Sequence, residues 1–89
     1  MNTNKKFDLY KTFLRTDPVG VSRKDDKENN ICYIKMKYRI EGQKFIVNTF
    51  LNKDKSYGAT INNYKGKRLA VFKNPFLAKV LYEHGQRYL

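Results

Sequence analysis

This chain has little of what disulfides, metal sites and membrane spans are made from. Cys32 is the sole cysteine among 89 residues, so no intrachain disulfide can form and a reducing compartment is expected. One cysteine and one histidine cannot supply the ligands of an ordinary zinc site, and no cofactor is implied. No apolar run approaches the length of a membrane span, and the N-terminus has no apolar h-region of the signal-peptide kind. A cytoplasmic protein without a membrane partner is therefore the expectation. The phosphate-cradling glycine spacing is missing too: Tyr64-Lys65-Gly66-Lys67-Arg68 is a basic loop able to touch phosphates, but not a nucleotide-binding motif.

Acidic residues are also scarce, and what is abundant is positive charge. Nineteen Lys and Arg stand against eight Asp and Glu, a formal charge of +11. Residues 1–30 carry seven basic and five acidic groups, a net +2, whereas residues 31–89 carry twelve and three, a net +9. Charge concentrated in this way is the electrostatic footprint of a nucleic-acid binder, the bland alternative being a soluble lysine-rich surface. Seven Tyr and six Phe provide enough large side chains for a compact core in one small domain.

The run Ile31 to Ile40, ICYIKMKYRI, alternates with period two and reads as a strand. Cys32, Ile34, Met36, Tyr38 and Ile40 form an apolar face, while Tyr33, Lys35, Lys37 and Arg39 form the opposite one, its cations about 7 Å apart. Glu41-Gly42 makes a two-residue hairpin turn, and Lys44 to Leu51 is the return strand. This register sets Ile40 against Gln43, Tyr38 against Phe45, Met36 against Val47 and Ile34 against Thr49. It also sets Arg39 against Lys44 and Lys35 against Asn48. A three-residue loop would mix the two faces, and register follows such segregation. The cost is cations crowded across strands, which stability alone does not favour. An anionic partner would offset it.

Elsewhere the pattern is weaker. Phe7, Leu9, Phe13 and Leu14 fit no clean period, so residues 1–19 read as an N-terminal segment preceding a single domain over residues 20–89. Gly20 to Arg23 is a short strand and Lys24 to Asn30 a polar loop. Asn52 to Lys67 is a polar insertion with a short strand around Ala59-Thr60-Ile61, and Arg68 to Phe72 is a further short apolar run. A final helix is expected, with Asn74 as N-cap and Pro75 at the first helical position. Its apolar side would be Phe76, Leu77, Val80, Leu81 and His84, with Gly85 ending or weakening it. The expected fold is α+β: a small antiparallel sheet of three to four strands, mostly a meander, packed on one C-terminal helix.

The segments GVSRKDDKENN and YIKMKYRIEGQKFIVNTF resemble the three-stranded DNA-binding domain of the Apetala or ethylene-response-factor type. Relatives of that domain occur in phage and mobile-element proteins, and integrase arm-binding domains share its plan. The parts are Gly20-Val21, Ile34 to Ile40, Glu41-Gly42, Phe45 to Phe50, and a helix marked by Phe72, Ala78 and Tyr82. The resemblance implies that the exposed sheet face enters the major groove, with contacts from Arg23, Lys35, Lys37, Arg39 and Lys44.

The function these readings favour is non-enzymatic DNA binding through the basic sheet face, with RNA as another possible ligand. Lysines and arginines, including Lys65, Lys67 and Arg68, would neutralise phosphates. Arg39 and Asn48 are the candidate base readers, since Arg pairs with guanine and Asn with adenine. Tyr33 would stack, touch sugar or fill a sheet edge. Two alternatives stand beside this one. YRIEG and HGQRY faintly resemble signatures of RelE-like metal-independent mRNA endonucleases, and a small basic phage-type protein can be an inhibitor docking on a nucleic-acid enzyme. Asp25, Asp26 and Glu28 read as a solvated cluster beside Arg23, Lys24 and Lys27, and His84 as a structural histidine.

Overall fold

The computed structural model describes residues 5–72 and 74–89, with side chains from residue 10 onward. Seven elements follow in chain order: α1 (Lys5–Arg15), β1 (Gly20–Asp26), β2 (Ile31–Ile40), β3 (Gln43–Leu51), β4 (Tyr57–Asn63), β5 (Arg68–Phe72) and α2 (Pro75–Gln86). The strands form one antiparallel meander in the order β1-β2-β3-β4-β5. The fold is α+β, an antiparallel meander packed on the C-terminal helix as expected, with five strands where three to four were expected.

The central hairpin has the register that segregation of the faces requires. Ile40 lies opposite Gln43, Tyr38 opposite Phe45, Met36 opposite Val47, and Arg39 opposite Lys44. Its turn places Glu41 at φ 51° and Gly42 at φ 77°, the pair of positive angles that a type I′ turn demands and that matches strand twist. Polar residues between Lys24 and Asn30 do not all form a loop: β1 runs on to Asp26, and four residues turn back into β2. Side-chain chemistry allows so tight a turn. The Asp26 carboxylate accepts the Glu28 and Asn29 amide N–H groups at 3.1 and 3.2 Å, while Asn30 takes the left-handed conformation at φ 54°.

Both helices cover the same face of the sheet. On α2, Asn74 caps the N-terminus by accepting the Phe76 N–H at 2.9 Å, and Pro75 occupies the first position as expected. The buried stripe is Ala78, Leu81, Tyr82 and Gly85, with Leu77 and Val80 packed at its margin. Phe76, expected on the apolar side, is 70% exposed: the helix phase that brings small residues against the sheet turns Phe76 outward beside the cap. Gly85 does not end the helix. It is the point of closest approach to β2, where an added Cβ would lie 2.7 Å from Ile34 Cγ2 and 3.0 Å from Met36 Sδ.

The N-terminal segment contributes to the same core. Phe13 on α1 is fully buried and packs its ring against Tyr38 and Phe45 at centroid distances of 4.7 and 5.7 Å. Tyr10 meets Phe72 at 5.8 Å. The buried Tyr38 hydroxyl donates to the Phe13 carbonyl at 3.0 Å, tying α1 to the middle of the sheet. Burial pushes the Tyr38 phenol well above its ordinary pKa. Ile34, Met36, Val47, Thr49 and Ile61 complete the layer under the helices, and Thr49 satisfies its buried hydroxyl by donating to the Ile34 carbonyl at 3.0 Å.

Candidate nucleic-acid interface

With both helices on one side, the other face of the sheet is uncovered, and strand alternation decides which side chains stand on it. Directly paired residues of an antiparallel ladder share a face. From β2 the open face carries Tyr33, Lys35, Lys37 and Arg39; from β3 it carries Phe50, Asn48, Ile46 and Lys44, each paired with one of those four in turn. β4 adds Gly58, Thr60 and Asn62, and β1 adds Ser22 opposite Lys35 and Lys24 opposite Tyr33. Lys35, Lys37, Arg39 and Lys44 are all exposed. None makes a salt bridge, since the described residues contain one such pair, Arg23–Asp25.

Arg23 stands apart from that set. It pairs with Ile34, so it points to the helix side, where its Nε donates to Asp25 Oδ1 at 3.1 Å. The guanidinium beside Asp25 holds that carboxyl below the usual range. The expectation that Arg23 joins the lysines of β2 assumed a shared face that the β1–β2 register does not give.

The basic loop is placed by a different device. Asn63 Oδ1 accepts the Lys65 and Lys67 N–H groups at 3.0 and 2.9 Å, and Gly66 closes the turn at φ 86°. This turn lies at the same end of the sheet as the Glu41-Gly42 hairpin tip, because β3 and β4 pair Phe45 with Asn63. Arg68 pairs with Asn62 at an irregularity in the β4–β5 ladder. Lys37, Arg39, Lys44, Lys65, Lys67 and Arg68 therefore gather at one end, with Glu41 at the hairpin tip and Asp17, near Tyr38 and bonded by the Tyr88 hydroxyl, as acidic neighbours. The opposite end sets Arg23, Lys24, Lys27, Lys53 and Lys55 against Asp25, Asp26, Glu28 and Asp54, a net charge near +1. The positive field of the sheet and its turns is polarised toward the hairpin tip.

Three residues of this surface, Phe50, Ile46 and Tyr64, were not among the sequence-derived candidates. Phe50 and Tyr33 meet at 6.2 Å between ring centroids, and the Phe50 ring lies over Gly58, where a Cβ would collide with it. Ile46 sits between Lys37 and its neighbours on β4 as an apolar floor. Tyr64, 64% exposed, lines a cleft of about 460 Å³ with Val19, Lys37, Arg39, Lys44 and Ile46. The signal for Phe50 was present in the sequence, since it shares the period of Asn48 and Lys44. Tyr64 becomes a neighbour of β2 only through the meander.

The groups of the two nuclease-like signatures divide between the faces of the sheet. Tyr38 is buried with its hydroxyl engaged, Arg39 faces the open side, and His84 lies on α2 across the sheet, its ring 5.3 Å from that of Tyr88. Among the described residues no three His, Cys, Asp or Glu side chains are grouped to hold a metal ion, and no helix is long and apolar enough to cross a membrane. Compared with protein-family models, curated proteins and solved structures, the chain matches none.

Proposed function

We propose that this chain is a non-enzymatic nucleic-acid-binding module that uses the open face of its sheet, DNA being the ligand the sequence favours. The observation that carries the reading is the row Lys35, Lys37 and Arg39 with Lys44 opposite, exposed and without an ion-pair partner among the described residues. Unpaired cations about 7 Å apart on a rigid strand match the repeat of a phosphodiester backbone better than any scattered surface charge. Their positions are held by the hairpin's own ladder, so binding orders only side chains. Asn48, on the same face, offers both donor and acceptor to a base edge.

The test is fluorescence anisotropy with labelled DNA and RNA over a range of salt. Four or five phosphate contacts give a log–log slope on the order of −3 to −4.5. Absence of binding to every nucleic acid at low salt refutes the reading, and an inhibitor that recognises a protein would show that result.

A further inference from the structure

We infer that the strand held on this face is single-stranded, with its bases stacked on Tyr33–Phe50 at one end and on Tyr64 at the other. The inference rests on the nucleic-acid reading above and specifies the form of its ligand. Width comes first. Five strands at the usual spacing span about 19 Å, and they twist across that width. The major groove of B-DNA is about 12 Å wide and admits a two-stranded ribbon, so the whole open face cannot enter it. A single strand has no such limit. It lies across the sheet and exposes base planes that a duplex keeps stacked.

Aromatic placement is the second observation. Tyr33 and Phe50 form a contiguous ring pair on the uncovered side, the Phe50 ring supported from beneath by the Gly58 backbone. Such rings usually fill a core, yet the core of this domain lies across the sheet. Along β2 the cations Lys35, Lys37 and Arg39 lead away from this pair over about 20 Å, a few nucleotides, and end at the cleft that Tyr64 lines, with the Lys65 ammonium 5.7 Å from its ring centroid. Aromatic ends with cations between them are the arrangement a single strand uses, bases on rings and phosphates on ammonium groups. Ile46 supplies an apolar floor beneath the cleft.

The experiment compares labelled dT20, rU20 and a 20-bp mixed-sequence DNA duplex as anisotropy probes, using the wild-type chain and the variants Tyr64→Ala, Tyr33→Ala and Tyr33→Leu. Circular dichroism melting verifies the fold of each, and Tyr33→Leu preserves bulk on the sheet if Tyr33→Ala is unstable. Single strands are expected to bind at least tenfold more tightly than the duplex. Loss of either tyrosine should weaken single-strand binding about 5- to 150-fold, the range of base–aromatic stacking, with an unchanged salt slope. The dT20 and rU20 arms tell which of these two single strands, deoxyribo or ribo, is bound more tightly. Duplex binding as tight as single-strand binding, or tyrosine variants that bind single strands like wild type, overturns this inference while leaving the basic face in place. No binding to any of the three probes removes both.

Discussion

Replacing Lys35, Lys37 and Arg39 together by Gln tests whether the basic row exists for a polyanion. All three side chains stand on the open face, are exposed and lack an acidic partner among the described residues, so the substitution removes no hydrogen bond or ion pair found there. Three lost phosphate contacts lower the salt slope by about 2.1 for a single strand and about 2.7 for a duplex. At 1 M salt counterion release contributes nothing to affinity, so at 0.1 M the loss is about 100- to 500-fold. Stability should move the other way. Arg39 faces Lys44 directly, and relieving such exposed repulsion contributes about 0.2–1 kcal/mol. For a domain of this size that is a rise in Tm of at most about 4–8 °C. The assays are anisotropy over a salt series and circular dichroism melting on one preparation. A variant that keeps its Tm and binds with the wild-type affinity and slope refutes the reasoning. A large fall in Tm would show that the row supports the fold.

Three further outcomes follow from the packing. Gly85→Ala is expected to lower stability by about 1–2 kcal/mol, because overpacking against Ile34 and Met36 outweighs the gain of up to about 1 kcal/mol in helix propensity; an unchanged or higher Tm would disprove the close approach. Glu41→Asn should stabilise the hairpin by on the order of 0.5–1 kcal/mol, since Glu41 holds φ 51° and Asn tolerates the left-handed region; removal of the acidic group beside Arg39 and Lys44 should also tighten nucleic-acid binding at low salt. Tyr38 retains its proton in the folded state above the ordinary phenol value of 10.0, so its contribution is complete below that pH and is lost as pH rises beyond it. Urea titrations at pH 8 and pH 11 should show a smaller alkaline loss in Tyr38→Phe than in wild type, alongside about 0.5–1.5 kcal/mol for the forfeited hydrogen bond to Phe13.

The β2–β3 hairpin was legible because alternation and a two-residue turn are local properties: every candidate from Tyr33 to Asn48 needed no partner beyond the hairpin itself. Arg23 illustrates where local reading stops. Its face depends on which residue of β2 it meets, and pairing with Ile34 instead of a neighbour one position away decides the matter. Helix α1 was hidden for a different reason. Tyr10, Phe13 and Leu14 lie at i, i+3 and i+4, but the period emerges only when the tyrosine is counted as apolar, and Tyr10 is in fact buried. Phe76 misled in the opposite sense, a large apolar residue beside a cap that the helix turns to solvent.

The two faces of this sheet obey different physics, and the difference bears on which changes the chain can tolerate. On the helix side, Phe13, Ile34, Met36, Val47, Ile61 and Leu81 are fully enclosed, so even a methyl group is felt, as Gly85 shows. On the open side Lys35, Lys37, Arg39 and Lys44 are exposed and, among the described residues, satisfy no polar group of the fold. Arg39, Lys44 and Lys37 could be neutral without loss of a contact. Their charge raises the free energy of the folded chain slightly, and only an external anion lowers it again. A surface of this kind is soft in sequence but narrow in chemistry. Exchanges among lysines and arginines there should preserve general phosphate binding, whereas Arg39→Lys should preserve phosphate contact and lose any bidentate base reading. Retention of sequence preference in that variant would move base recognition from Arg39 to another group of the face, Asn48 being the candidate there that carries both a donor and an acceptor.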